Sequence, residues 1–198
     1  MKNVFLAVIA LFAFFATNAI ADTYQADASK SKVKWEARKV LGKHDGTVAL
    51  KSGSLDIDGS KITGGNFTVD MSTIKVVDIT DEAMNKKLTG HLNSDDFFNV
   101  DNFKTADLKI KSAKIISSES NTTKYRITGD MTIKGKTNEV SFVAELSGKG
   151  NAMTAKGKIE LDRTLWDIKY GSANFFDSLG DKAIYDVFEL ELDVTLSK

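Results

Sequence analysis

Two histidines, His44 and His91, are the side chains best suited to proton transfer or metal ligation at neutral pH. Neither has a second histidine nearby, and the chain has no cysteine. A zinc site would therefore need carboxylates to complete it, and no metal-ligand spacing is present. Asp56-Ile57-Asp58-Gly59 opens like a calcium loop, but its twelfth position is Phe67 rather than a glutamate, so it reads as a hairpin turn. Asp95-Asp96 reads as the acidic first turn of a short helix rather than an acid–base pair. Nucleophile elbows, phosphate-cradling glycine loops and His-Glu-x-x-His patterns are missing from the sequence. These residues predict a protein that is not an enzyme and holds no metal or cofactor.

Composition narrows the partners. Lys plus Arg number 27 and Asp plus Glu 27, so the basic excess expected of a nucleic-acid binder is missing. Only Arg38, Arg126 and Arg163 are arginines, which leaves little for bidentate phosphate recognition. The sequence begins with Lys2 and an apolar run from Val4 to Phe15, and then Ala19-Ile20-Ala21 precedes Asp22. This pattern predicts a signal peptide over residues 1–21 and one domain over 22–198, periplasmic or secreted and soluble after cleavage. With no cysteine, neither disulfides nor a lipid-modified cysteine hold the mature chain, so its stability must come from packing.

The elements that position any site are strands. From Lys32 onward the sequence alternates with period two. Val33, Trp35 and Ala37 form one row, and Phe67, Val69 and Met71 another. Further rows run through Tyr125, Ile127, Gly129, Met131 and Ile133, through Val140, Phe142, Ala144 and Leu146, through Met153, Ala155, Gly157, Ile159 and Leu161, and through Phe188, Leu190, Leu192, Val194 and Leu196. The opposite rows are charged. About eight such strands, joined by short Gly/Asn/Asp/Ser turns, predict an all-β fold. An antiparallel up-and-down, lipocalin-like barrel is favoured over a two-sheet sandwich. Thr80 is placed to cap a helix that Gly90 ends, and Ser94 to cap a second short turn. The aromatic-rich stretch from Thr164 to Asp186 reads as a packed loop or lid.

The apolar rows contain small residues at Ala37, Gly129, Ala144, Ala155 and Gly157. These have two readings: they relieve crowding at a barrel corner, or they leave room for a ligand. A cavity lined by such rows suits a long, weakly polar chain, because a sugar or nucleotide would leave its polar groups unpaired there.

Four segments resemble the YceI-like family, secreted lipocalin-like barrels that bind polyisoprenoid lipids. They are Tyr24 with Asp27 to Trp35, His91-Leu92-Asn93-Ser94-Asp95-Asp96-Phe97-Phe98, Gly129-Asp130-Met131-Thr132-Ile133-Lys134-Gly135-Lys136-Thr137, and Asp162-Arg163 followed by Trp166, Asp167 and Ile168. Lys104 and Glu139 stand where the family often has proline. The resemblance implies a closed barrel around an extended isoprenoid, such as a polyprenyl chain or an isoprenoid quinone. The expected ligand-binding residues are Trp35, Phe67, Met131, Ile133, Phe142, Met153, Ile159 and Phe188, each of which also fits an ordinary core position. His91, Asp130 and Arg163 are the candidate head-group contacts. Arg163 has a second reading as an ion pair with Asp162 or another strand-end acid. The expected partners are the isoprenoid lipid, a membrane touched transiently and a second copy in a homodimer. A secreted structural or stress-adaptor barrel with a filled core and no ligand is the alternative.

Overall fold

The structure, a computed structural model, describes residues 21–198, so the body of the expected leader lies outside it. Nine strands and one α-helix follow in the order β1 (Asp22–Ala26), β2 (Lys32–Lys39), β3 (Gly42–Asp58), β4 (Lys61–Val76), α1 (Glu82–Asn93), β5 (Thr105–Glu119), β6 (Thr122–Ile133), β7 (Lys136–Lys149), β8 (Ala152–Asp162) and β9 (Ile184–Ser197). From β2 to β9 each strand pairs antiparallel with the next, and β9 returns to pair with β2. The sheet is therefore a closed eight-position barrel, the up-and-down architecture that the alternation predicts.

The extra strand, β1, shares a barrel position with β2. Tyr24 of β1 pairs with Leu55 and Val33 of β2 with Val48, both on β3, while Ala26 and Val33 pair with Leu196 and Leu192 on β9. β1 and β2 thus form one interrupted strand. The interruption is a turn around Asp27, whose carboxylate accepts from Ser29 N (3.1 Å), Ser29 Oγ (2.6 Å) and Lys30 Nζ (2.6 Å). Those bonds, with Lys30 first and Ser29 next, bring the Asp27 pKa down to about 2.

The barrel has two unlike ends. At one, tight turns join β3 to β4, β5 to β6 and β7 to β8. Two buried tyrosines tie this hairpin end together: Tyr24 Oη donates to Gly150 O (2.9 Å) and Tyr125 Oη to Ser60 O (2.8 Å). The other end carries α1 and the long connection from β8 to β9. The helix differs from expectation in its limits. Asp81, not Thr80, is the N-cap and accepts from Met84 N (2.8 Å), because a carboxylate there also opposes the positive end of the helix dipole. The helix continues through Gly90 to Asn93, and Ser94 Oγ donates back to His91 O at 2.7 Å. Asn85 anchors α1 to the barrel by donating to Val76 O (3.0 Å) and Ile79 O (2.9 Å).

The outer face carries cross-strand charge pairs such as Lys124–Glu145 (2.9 Å), Lys156–Asp193 (3.1 Å) and Lys158–Glu189 (2.7 Å). Such exposed pairs contribute little stability each, so the fold rests on its interior.

Candidate ligand cavity

The inward rows do not fill the barrel. They surround a cavity of ≈ 190 Å³ whose lining runs from Ile62 and Tyr125 near the hairpin end to Leu92, Phe97 and Ile168 at the helix end. The walls are almost entirely carbon. Where β7, β8 and β9 form the wall, Ala144, Leu146, Ala155, Gly157, Leu190 and Leu192 point inward yet are only half-buried, because the opposite wall does not reach them. Small side chains on β7 and β8 thus set the room inside the barrel.

Seven of the eight expected lining residues border this cavity: Trp35, Phe67, Met131, Ile133, Phe142, Ile159 and Phe188. Met153 does not. It pairs with Gly148 and Leu196 beside the β7–β8 turn and packs against the core there. Alternation turned Met153 inward but carried no information about its distance from the hairpin end.

The three head-group candidates separate. Asp130 lies on the outer face, bonded to Lys111 Nζ at 3.2 Å, because it alternates with the inward Gly129 and Met131. Its side chain points away from the cavity, a correction to its expected place at the mouth. His91 stands at the end of α1, with its ring edge-on to Phe97 (4.9 Å between centroids) and Tyr170 (4.3 Å). One ring, Phe97, separates it from the cavity.

Arg163 lines the cavity but is spent on the protein. Its Nε donates to Tyr185 O (3.2 Å), Nη1 to Ile168 O (2.7 Å), and Nη2 to Ile184 O (3.1 Å) and Asp186 Oδ1 (3.1 Å). Burial pushes its pKa down, and the charges of Asp186 and Asp162 oppose that shift. Of the two acids, Asp186 makes the ion pair, since Asp162 is occupied in capping the next turn through Thr164 N (2.9 Å) and Oγ1 (2.6 Å). Asp186 also accepts from Ser172 Oγ (2.9 Å) and Asn174 Nδ2 (2.7 Å). Arg163, Asp186 and Ser172 form a buried polar cluster that the inward rows gave no sign of. It staples the 163–186 segment across the helix end. Within that segment Trp166 is fully buried and gives its indole N–H to Met131 O at 3.1 Å, whereas Tyr170, Phe175, Phe176 and Tyr185 are exposed. The packed loop thus exposes four aromatic side chains among polar and charged ones.

A second cavity of ≈ 70 Å³ lies between α1 and the β2–β3 hairpin. Leu88 and His44 line it, and it shares Trp35, Ala37, Leu92, Phe97 and Ile184 with the main cavity. His44 Nδ1 sits 2.8 Å from Asp78 Oδ2, a contact that ties the hairpin to the approach to α1.

Comparisons with known proteins agree with this architecture. The crystal structure of Burkholderia cenocepacia BcnA superposes with a TM-score of 0.65 at 22% identity, covering 86% of this chain and 98% of that one. A polyisoprenoid binding domain from Saccharophagus degradans, implicated in plant cell wall breakdown, gives 0.62 at 10% identity over 88% and 97%. At these identities the likeness is one of fold. A UPF0312 protein of Staphylococcus aureus (strain N315) is 27% identical over 124 residues, a match spanning 62% of this chain and 64% of that relative's length. The family model described as "YceI-like domain" matches residues 24–196. The chain belongs to the YceI-like domain family.

Proposed function

We propose that this protein binds a long-chain isoprenoid lipid inside its barrel and carries or sequesters it outside the cytoplasm. The observation that carries this reading is the carbon-lined cavity running between the two ends, with its room made by Ala144, Ala155 and Gly157. Its fold neighbour from Saccharophagus degradans, described as a polyisoprenoid binding domain, supports the same ligand class. The leader-like first 21 residues support export.

Binding physics favours exchange with a bilayer. A forty-carbon chain leaving water would gain roughly 30 kcal/mol at ~0.8 kcal/mol per CH₂, beyond any practical affinity. A chain already in a bilayer gains little hydrophobic energy by moving into the barrel, so shape and the polar end decide the equilibrium. Transfer is then reversible, as carriage requires.

The helix end suits the transient membrane contact this needs. Val40 and Leu41 in the β2–β3 turn, Met84 on α1, and Tyr170, Phe175 and Phe176 in the 163–186 segment are all exposed apolar side chains on connections at that end. Among the described residues, no helix is long and apolar enough to cross a membrane.

The test is transfer in vitro. Vesicles carrying an isoprenoid quinone are incubated with the protein and separated from it by flotation. Lipid co-fractionating with the protein, in proportion to protein added, is the expected result. Protein that stays lipid-free at saturating vesicle concentration would refute the reading in favour of a barrel without a ligand.

A further inference from the structure

The cavity stops at one level on three strands. On β8, Ala155 lines it, and Met153, the next inward residue toward the hairpin end, does not. On β9 the same step runs from Val194 to Leu196, and on β3 from Leu55 to Ile57. The register sets two of these steps side by side, because Ala155 pairs with Val194 and Met153 with Leu196. The layer beyond the last lining residues is packed: Leu196 is 0% exposed and Ile57 5%.

Two tyrosines brace this end. Each hydroxyl reaches past its neighbouring strands, Tyr24 from β1 to Gly150 in the β7–β8 turn and Tyr125 from β6 to Ser60 in the β3–β4 turn. Both hydroxyl hydrogens are thereby used, so a ligand oxygen arriving here would find neither as a donor. Burying that oxygen unpaired is costly, whereas an alkyl end has nothing to satisfy. A chain in this cavity therefore keeps its apolar end at the hairpin end.

We propose that Met153 and Leu196 form a floor that sets the longest isoprenoid chain the barrel encloses, with the polar end of the lipid left toward α1. The assignment rests on the isoprenoid-binding reading and adds chain length to it. Selection follows from where excess chain must go. Carbon that fits in the cavity exchanges with bilayer carbon at little hydrophobic gain or loss. Carbon that does not fit is pushed out of the helix end toward water, and each such methylene is penalised. A fixed floor thus discriminates against chains that are too long.

The experiment gives the mature chain vesicles that contain an equimolar series of isoprenoid quinones differing by single isoprene units. Protein is separated by flotation, and mass spectrometry compares the chain lengths it holds with those in the vesicles. Wild type should show an upper limit, beyond which each added unit is depleted at least about tenfold. Leu196→Ala should move that limit about one unit longer, because it removes the side chain next below Val194. Ala155→Met, which fills the lowest lining layer on β8, should move it shorter. A wild-type distribution that mirrors the vesicles, or a limit that stays in place in the folded variants, would overturn the floor while leaving isoprenoid binding intact. If Leu196→Ala does not fold, Ala155→Met decides by the same criterion. Wild-type protein that takes up no lipid of any length would overturn the isoprenoid reading and the floor with it.

Discussion

The indole of Trp35 occupies the space that a side chain at Gly46 would need. The two residues are cross-strand partners on β2 and β3, and a Cβ built on Gly46 would fall 2.5 Å from Trp35 Cζ2 and closer still to the carbonyl oxygen of Lys75. Phe67 stands in the same relation to Gly53. Two large cavity-lining rings are thus seated on glycines of β3, which lets them border the cavity rather than block it.

Gly46→Ala should therefore cost about 2–3 kcal/mol, or roughly 5–10 °C in Tm, through overpacking against Trp35 and the β4 backbone. Gly64→Ala is the control, since a Cβ there meets only Asp56 Oδ2 at 3.4 Å. Thermal unfolding by circular dichroism should show a large drop for the first and a change within about 0.5 kcal/mol for the second.

The cavity-lining alanines separate ligand capacity from stability. Ala155→Leu on β8 projects into open space, so it should reduce isoprenoid binding at least tenfold while leaving Tm within a few degrees of wild type. Gly129 cannot serve for this purpose. A Cβ there would lie 2.6 Å from Lys109 O, so any substitution strains the β5–β6 pair whether or not a ligand binds.

Removing Asp186 leaves Arg163 buried without its counter-charge. Asp186→Ala should cost about 3 kcal/mol in urea unfolding, in the range for breaking a buried pair. It should also expose the 163–186 segment to limited proteolysis, because Ser172 and Asn174 lose their acceptor in the same step. Unchanged stability and an uncut segment would show that the main-chain bonds of Arg163 suffice.

Asp27 sets part of the acid limit. Its pKa is lowered from 3.8 to about 2, so the folded state favours the carboxylate. The stability it contributes is present above pH 3.8 and is lost as pH falls toward 2. Asp27→Asn should therefore be less stable than wild type at neutral pH, with the two urea midpoints converging between pH 4 and 2. A difference that stays constant across that range would mean that the carboxylate charge is irrelevant to the turn.

The alternation exposed the barrel because its inner and outer faces differ in chemistry. β6, β8 and β9 were readable from their inward rows, Tyr125 to Ile133, Met153 to Leu161 and Phe188 to Leu196 at every second position. β3 was harder beyond Leu55 and Ile57, since Gly46 and Gly53 interrupt its inward row and their purpose lies in Trp35 and Phe67 on neighbouring strands. Lining residues from outside the strands, such as Phe97 and Ile168, follow no period and were missed. Periodicity turned Asp130 outward, and the register placed it beside Lys111 on the outer face. The fate of Arg163 depended on Asp186, 23 residues away.

The central claim is that the barrel holds an isoprenoid. It is tested most directly by native mass spectrometry of the mature protein purified from its own host, followed by solvent extraction and identification of the released lipid. The account predicts a species heavier than the polypeptide by the mass of one isoprenoid lipid, which organic extraction removes. A protein found only at its bare polypeptide mass, or one releasing a lipid without an isoprenoid chain, would contradict it.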